Sequence, residues 1–322
     1  MRAKIIGTGS CLPDKIATND YLSTIVDTND EWIQSRTGIQ ERHLVSSEAE
    51  NTLSMAVKAA QRALLDADVL PEQLDLILVA TVSSDFITPS TACMIQKELN
   101  ACHATAFDIN AACSGFLFAL NTVDAYFQTG IYQTALIIGV ETLSKIINWS
   151  DRSTCVLFGD GAGAVVAKAS EEGILASLQG SDGTKGDILI CKNRTNNNPY
   201  ITTETNPDFL FMNGQEVFKF AVTKEPECIQ SLLNQAKINA SEVDYYLLHQ
   251  ANYRIIASIA RKLKLPLEKF PINVDHCGNT SAASIPILLD EVNKAGKLEE
   301  GSLLLLSGFG AGLTWGAVLL KW

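Results

Sequence analysis

Phe107-Asp108-Ile109-Asn110-Ala111-Ala112-Cys113-Ser114-Gly115-Phe116-Leu117-Phe118-Ala119-Leu120 runs from a strand directly into a helix, with a thiol at the junction. Phe107 and Ile109 alternate with polar residues, as on the two faces of a strand. From Cys113 to Gln128 the run has helix length, and Gly130 supplies a C-terminal stop. Phe116, Leu117, Phe118, Leu120, Val123, Tyr126 and Phe127 make that helix apolar on nearly every side, which places it in a buried centre. A thiol in the first turn of a helix lies near unpaired N–H groups and the positive end of the dipole, and both favour thiolate. Position alone leaves two readings of Cys113: an activated nucleophile, or a small buried apolar residue.

The pattern around this stretch occurs twice. A helical run from Thr52 to Ala67, then Pro71–Asp75, leads to the strand Leu76–Thr81. A helical run from Pro226 to Lys237, then Ala240–Asp244, leads to the strand Tyr245–Gln250. Phe107-Asp108-Ile109-Asn110 pairs with Phe270-Pro271-Ile272-Asn273, the latter ahead of a helix near Ser281–Val292. Thr134–Val140 pairs with Ser302–Gly308. Strands alternating with helices give parallel-type sheets covered by helices, and near-continuous apolar strands give sheets buried on both faces. A repeat at roughly 165 residues predicts a duplicated α/β fold. Its layers are helices, sheet, shared central helices, sheet and helices, split into halves at 1–172 and 173–322. Gly180–Asn213, rich in Gly, Asn, Thr and Asp, reads as loops and short strands joining the halves.

The 322 residues are 47% hydrophobic and 19% charged, an ordinary globular composition. The glycine-broken start, Met1–Gly9, does not read as a signal peptide, and no apolar run reaches membrane-spanning length. Eight cysteines without a C-x-x-C pair argue against zinc ribbons and thioredoxin chemistry, and suggest free thiols in a reducing cytoplasm. A formal charge of −11 argues against nucleic acid as a general partner. An acidic protein partner requires a local basic patch.

His249 ends a strand in Leu248-His249-Gln250-Ala251-Asn252, and Asn279 lies in the turn Gly278-Asn279-Thr280-Ser281. The repeat brings both to strand ends facing the crevice of Cys113. Cys, His and Asn from separate segments form a nucleophile constellation. A structural histidine and a helix N-cap are the competing readings. Gly308–Gly316 is either an oxyanion-binding backbone or a glycine-rich hairpin. Phe158-Gly159-Asp160-Gly161-Ala162-Gly163 reads as a tight turn between strands. Trp32 and Arg36, four apart, share a helix face suited to a flat base and a phosphate.

Together Asn110–Gly115, Phe158–Gly163, Leu248–Asn252, Gly278–Ser281 and Gly308–Gly316 resemble the β-ketoacyl-acyl carrier protein synthase III family, over the whole chain. The resemblance implies a thiolase-like five-layer α-β-α-β-α fold and a Cys113–His249–Asn279 triad. It also implies an oxyanion hole from the N–H groups of Cys113 and Ala311. In that family an acyl group passes from acyl-CoA to the cysteine, and malonyl-acyl carrier protein (ACP) then loses CO₂ and condenses with it. The resemblance assigns Thr28, Trp32, Arg36, Arg152, Phe218 and Asn252 to CoA. It assigns Lys219, Arg254, Arg261 and Lys262 to ACP, with Lys264 nearby reading as a solvated face. Thr88 falls at the acyl pocket, where members specific for short primers often carry Phe, so primers longer than acetyl are expected. The implied state is a cytoplasmic homodimer with no cofactor, no metal, no nucleic acid and no membrane insertion. A relative from secondary metabolism shares the triad. A thiolase would need a second cysteine within Ser307–Gly316, a hydroxymethylglutaryl-CoA synthase a glutamate base such as Glu141, and a Cys hydrolase only the triad.

Overall fold

The computed structural model describes residues 1–201 and 208–322; positions 202–207 of the joining segment lie outside the described residues. In chain order the strands of the two main sheets are β1 (Arg2–Cys11), β2 (Leu76–Ala80), β3 (Thr105–Ile109), β4 (Thr134–Glu141), β5 (Gly161–Ser170), β6 (Ile174–Ser181), β7 (Tyr245–Leu248), β8 (Leu303–Gly310) and β9 (Thr314–Lys321). The helices that matter here are α1 (Asp30–Thr37), α2 (Thr52–Asp66), α3 (Thr91–Leu99), α4 (Gly115–Thr129), α5 (Gly214–Ala236), α6 (Tyr253–Leu263) and α7 (Ser284–Lys294).

The first sheet has the order β1-β5-β4-β2-β3 and the second β7-β8-β9-β6. Read from its other edge, the second becomes β6-β9-β8-β7, the same winding with the last strand missing. β2 pairs parallel with β3 and β4, β7 pairs parallel with β8, and the remaining pairings within the sheets are antiparallel. Asp75 and Asp244 perform the same task in each half. The Asp75 carboxylate accepts from the N–H of Thr134 at 2.9 Å, and that of Asp244 from the N–H of Leu303 at 2.8 Å. Each pins the start of the parallel neighbour.

Strand periodicity sorts the side chains into layers. Leu76, Leu78, Ile137, Leu247, Leu304 and Leu306 point to the centre, against Phe116, Leu120 and Val123 of α4 and Leu288, Leu289 and Val292 of α7. Ile77, Val79, Leu136 and Ile138 point outward under α2 and α3. Tyr246, Leu248 and Leu305 point outward under α5 and α6. The two halves therefore share one central core, and the expected five layers are present.

Three local expectations are corrected. Phe270–Asn273 does not form a strand, since Pro271 has no N–H to give a ladder. The element ahead of the second-half turn is instead the short helix Val274–Cys277. The helix read from Pro226 to Lys237 starts earlier, at Gly214, and passes through Pro226. Proline cannot donate to the carbonyl four residues back, and the orphaned Val222 oxygen is taken by Lys262 Nζ at 2.7 Å. Phe158–Gly163 is not a hairpin turn, as β4 and β5 are joined by a long excursion. Among the described residues no helix is long and apolar enough to cross a membrane.

Candidate active site

Cys113 does not sit inside α4 as expected. It occupies a 3₁₀ turn, Ala112–Ser114, immediately before it. Ala112 holds φ +46°, a conformation that L residues avoid, and this sharp reversal turns the Cys113 side chain toward the crevice. Gly310 closes in from β8. A Cβ there would lie 2.7 Å from the Cys113 nitrogen, so only glycine leaves that N–H approachable. The Ser114 and Thr314 hydroxyls meet at 2.7 Å and lock the Ala311 turn onto the elbow.

The thiol is not ionised at rest. Burial pushes Cys113 up to about 12, and the buried Glu141 carboxyl adds to the rise, while the Ser281 hydroxyl and a backbone N–H oppose it. The first-turn placement therefore does not by itself yield a resting thiolate, which corrects the expectation from helix position.

His249 lies one residue past β7 and is 2% exposed. Its Nδ1 is 2.7 Å from Ser284 Oγ, which also accepts the Gln250 N–H at 3.1 Å. Ser284 Oγ carries one O–H to donate as well as its acceptor lone pairs, and when it donates to Nδ1 the ring proton resides on Nε2. Burial holds the imidazole down to about 3, so it is neutral. Asn279 is fixed by the segment misread as a hairpin. Its N–H donates to Leu157 O at 2.8 Å, and its carbonyl accepts from Gly159 N at 3.0 Å. The Gly159 Cα packs so near the Cys277 carbonyl that a Cβ would approach to 2.3 Å. Asn279 Oδ1 accepts from Ser281 N at 2.9 Å, leaving the Nδ2 amide as the donor toward the crevice. Two uncharged side chains able to donate N–H groups thus line the same cavity as Cys113.

Glu141 is fully buried and accepts from Ser83 Oγ at 2.5 Å, Ser281 Oγ at 3.1 Å and Val82 N at 3.1 Å. Desolvation raises it to about 7. It lines neither cavity described below, so its role is to brace the Ser281 turn.

Two cavities meet at Cys113 and Phe158. One, about 410 Å³, is lined by His249, Asn279, Phe218, Asn252, Arg36 and Trp32. The other, about 970 Å³, runs past Ala311 and Ser281 to Phe86, Ile87 and Thr88. The structure therefore brings Cys113, His249 and Asn279 to one cavity, and Ala311 with Cys113 to the other. At the mouth, Arg36 lies 4.5 Å and Arg152 5.1 Å over the Trp32 ring. Asn252 caps α6 through its Oδ1 and donates Nδ2 to Arg36 O at 3.0 Å, so its amide ties α6 to α1. Arg254 lies 5.6 Å over Phe218 at the same rim. Thr28, Lys219, Arg261 and Lys262 line neither cavity, and Lys262 is engaged with Val222. Ser284, Gly159 and Gly310 pack directly against His249, the Asn279 turn and Cys113, and the sequence reading does not single them out individually. The crowding of Ser281 and Ser284 just after Asn279 was the available signal.

Comparison with known proteins agrees with this geometry. The family model for 3-oxoacyl-[acyl-carrier-protein] synthase III matches residues 107–183, and that for its C-terminal part matches residues 233–322. The chain is 50% identical to the β-ketoacyl-[acyl-carrier-protein] synthase III of Clostridium acetobutylicum over 321 residues, 99% of this chain and 98% of that one. The 3-oxoacyl-[acyl-carrier-protein] synthase III structure from Aquifex aeolicus superposes with a TM-score of 0.93 at 46% identity, covering 99% of this chain and 100% of that chain. A priming β-ketosynthase of the R1128 polyketide pathway superposes with a TM-score of 0.93 at 33% identity, covering 99% and 96%. The elbow thiol, its two neutral donors and these full-length similarities lead to one conclusion: the chain belongs to the 3-oxoacyl-[acyl-carrier-protein] synthase III family.

Proposed function

We propose that this protein condenses an acyl-CoA primer with malonyl-ACP, with loss of CO₂, to give 3-oxoacyl-ACP, the initiating step of fatty-acid synthesis. The convergence of Cys113, His249 and Asn279 where two cavities meet carries this reading. The acyl-CoA enters past Trp32 and Arg36, with its base displacing Arg152 from the indole and its phosphates near Arg36 and Thr28. Phe218 and Asn252 line its pantetheine path. Cys113 Sγ attacks the thioester carbonyl, its proton leaves with CoA as the free thiol, and the N–H groups of Cys113 and Ala311 hold the oxyanion. Malonyl-ACP then takes the vacated cavity. Its C–C bond breaks, CO₂ departs, and the enolate oxygen accepts hydrogen bonds from His249 Nε2 and Asn279 Nδ2. The carbanion carbon attacks the acyl-Cys113 thioester and expels the cysteine sulfur as thiolate, which takes a proton from water to restore the thiol. Neutral donors suit this step because they stabilise charge that develops only in the transition state.

Lys219, Arg254 and Arg261 form the docking patch for the acidic carrier, and Lys262 contributes less because it already holds Val222 O. Phe86 and Ile87, 52% and 67% exposed on the larger cavity, support a homodimer in which a second copy covers that side. The similarity to the synthase III enzymes supports a cytoplasmic location, and the condensation as written consumes acyl-CoA as a substrate and calls on no cofactor. Thr88, in place of a bulky aromatic, leaves room for primers longer than acetyl. The test is single-turnover acylation of Cys113 with acyl-CoAs of increasing length, then malonyl-ACP. Acyl transfer beyond acetyl followed by 3-oxoacyl-ACP supports the reading. A strict acetyl preference defeats the Thr88 assignment alone, and free acid without condensation defeats the whole. The similarity to the R1128 priming ketosynthase favours a second reading, in which the acceptor is a carrier of a different pathway. Competing carriers in that assay separate the two.

A further inference from the structure

His276, Cys277 and Glu291 form a second cluster of chemically active side chains, away from both cavities at Cys113. His276 Nε2 lies 3.4 Å from Glu291 Oε1, and Cys277 Sγ lies 3.7 Å from the same oxygen. All three ligand atoms fall within 4.8 Å of one another. Tetrahedral zinc, with bonds of about 2.0–2.3 Å to N, O and S, separates its ligands by about 3.3–3.6 Å. Two of the separations are already close to that range. The surroundings are those of a metal site as well. His276 Nδ1 meets Asp275 Oδ1 at 3.1 Å, the carboxylate–imidazole pairing that orients a metal-binding ring. Asn273 Nδ2 donates to Glu291 Oε2 at 2.9 Å, steadying the carboxylate through the oxygen that faces away from the cluster's other members. His276 and Glu291 are partly exposed while Cys277 is buried, so an ion can enter from solvent and end against the thiol.

We propose that His276 Nε2, Cys277 Sγ and Glu291 Oε1 bind a divalent metal of the zinc class, with water as the fourth ligand. A thiolate, an imidazole and a single carboxylate favour Zn²⁺ or Co²⁺ over Mg²⁺ or Ca²⁺, which require oxygen shells. On binding, the Cys277 thiol and the His276 imidazolium each release a proton to water as the S–metal and N–metal bonds form. The metal ties the turn that ends in Asn279 to α7, the helix that carries Ser284 at its start. Its role is a clamp behind the active site, not a reactant within it.

The test uses the full-length chain, stripped with chelator, incubated with zinc chloride and desalted, with retained metal measured by mass spectrometry. The wild-type chain retains one zinc per chain, and its thermal midpoint rises with zinc. Cobalt chloride gives it a thiolate-to-cobalt charge-transfer band. Cys277→Ser and His276→Gln each lower zinc affinity at least about tenfold, and Cys277→Ser abolishes the band. Cys191→Ser and Cys113→Ala, with thiols removed elsewhere, bind as the wild type does. Circular dichroism establishes that each variant is folded. No retained zinc in the wild type, or equal retention by Cys277→Ser and His276→Gln, overturns the proposal.

Discussion

The elbow that carries Cys113 has a twin in the second half. Ala112-Cys113-Ser114-Gly115 corresponds to Ser281-Ala282-Ala283-Ser284, and both reversals put a non-glycine residue at positive φ, +46° at Ala112 and +48° at Ser281. The same offset relates Asp75 to Asp244, Ala80 to His249, Asn110 to Asn279 and Glu141 to Gly310. At the second elbow the nucleophile position is Ala282, and the Glu141 carboxylate fills the space beside it, holding Ser281 Oγ. At the first elbow the position equivalent to Glu141 is Gly310, and the missing side chain opens the Cys113 N–H to a substrate. One elbow is plugged and the other is open. The plugged half is not idle, because its His249 and Asn279 line the cavity that reaches Cys113. Duplication thus supplies two strained turns, and two differences separate them: Cys113 against Ala282, and Gly310 against Glu141.

The comparison breaks most directly at Gly310. Gly310→Ala puts a methyl group against the Cys113 N–H, and the rate of Cys113 acylation falls by about 10²–10³-fold, as on loss of an oxyanion donor. Stopped single-turnover kinetics reads it, and near-normal acylation contradicts the open-elbow assignment. Ser284, equivalent to Gly115, comes next. Ser284→Ala frees the His249 ring to place its proton on either nitrogen, and condensation falls by about 10–10²-fold. Acylation by acyl-CoA, which needs no Nε2 donor, stays near normal. Equal loss in both half-reactions removes the tautomer role.

The plugged elbow gives a smaller, pH-dependent effect. The Glu141 carboxyl is raised to about 7 from 4.5 by burial, so the folded state keeps a proton that the unfolded state has lost. Stability therefore falls as pH rises from about 4.5 to about 7, and the full cost applies above that window. Glu141→Gln keeps the shape of the plug and removes this slope. Urea unfolding at about pH 5 and about pH 8 reads the difference, and an unchanged slope refutes it. The smallest effect belongs to Lys262→Ala, which strands the Val222 carbonyl beside Pro226 and costs about 0.5–1.5 kcal/mol by denaturant unfolding. Binding of ACP weakens less than in Arg254→Ala or Arg261→Ala.

Much of this organisation is legible in the chain before any coordinates. The repeat is visible because both halves need apolar strands of the same length and a carboxylate just before β2 and before β7. Cys113 and His249 stand out because strand ends followed by helices are where such folds present side chains, and Asn279 stands out in a turn ahead of a helix. The pairing of Phe107–Asn110 with Phe270–Asn273 was misaligned because Pro271 destroys the strand, and similar residues drew the register away from Asn279. Phe158–Gly163 looks like a hairpin because glycines around an acidic residue favour turns. Here Gly159 instead permits close approach to Cys277, and the buried Asp160 carboxylate accepts from the N–H groups of Val45 and Ser144, both at 2.9 Å. The rise of the Cys113 thiol is not legible in the chain, because it comes from burial, a property of the assembled core. The metal-type cluster is not legible in the chain because its third member, Glu291, comes from a different helix.

The most direct test of an open elbow bearing the nucleophile is the intact mass of the protein after incubation with an acyl-CoA, read again after malonyl-ACP is added. The expected result is one acyl group per chain on Cys113, discharged as 3-oxoacyl-ACP with the original mass restored, and no acylation in Cys113→Ala. An acyl group carried by another residue, or retained when malonyl-ACP arrives, contradicts it.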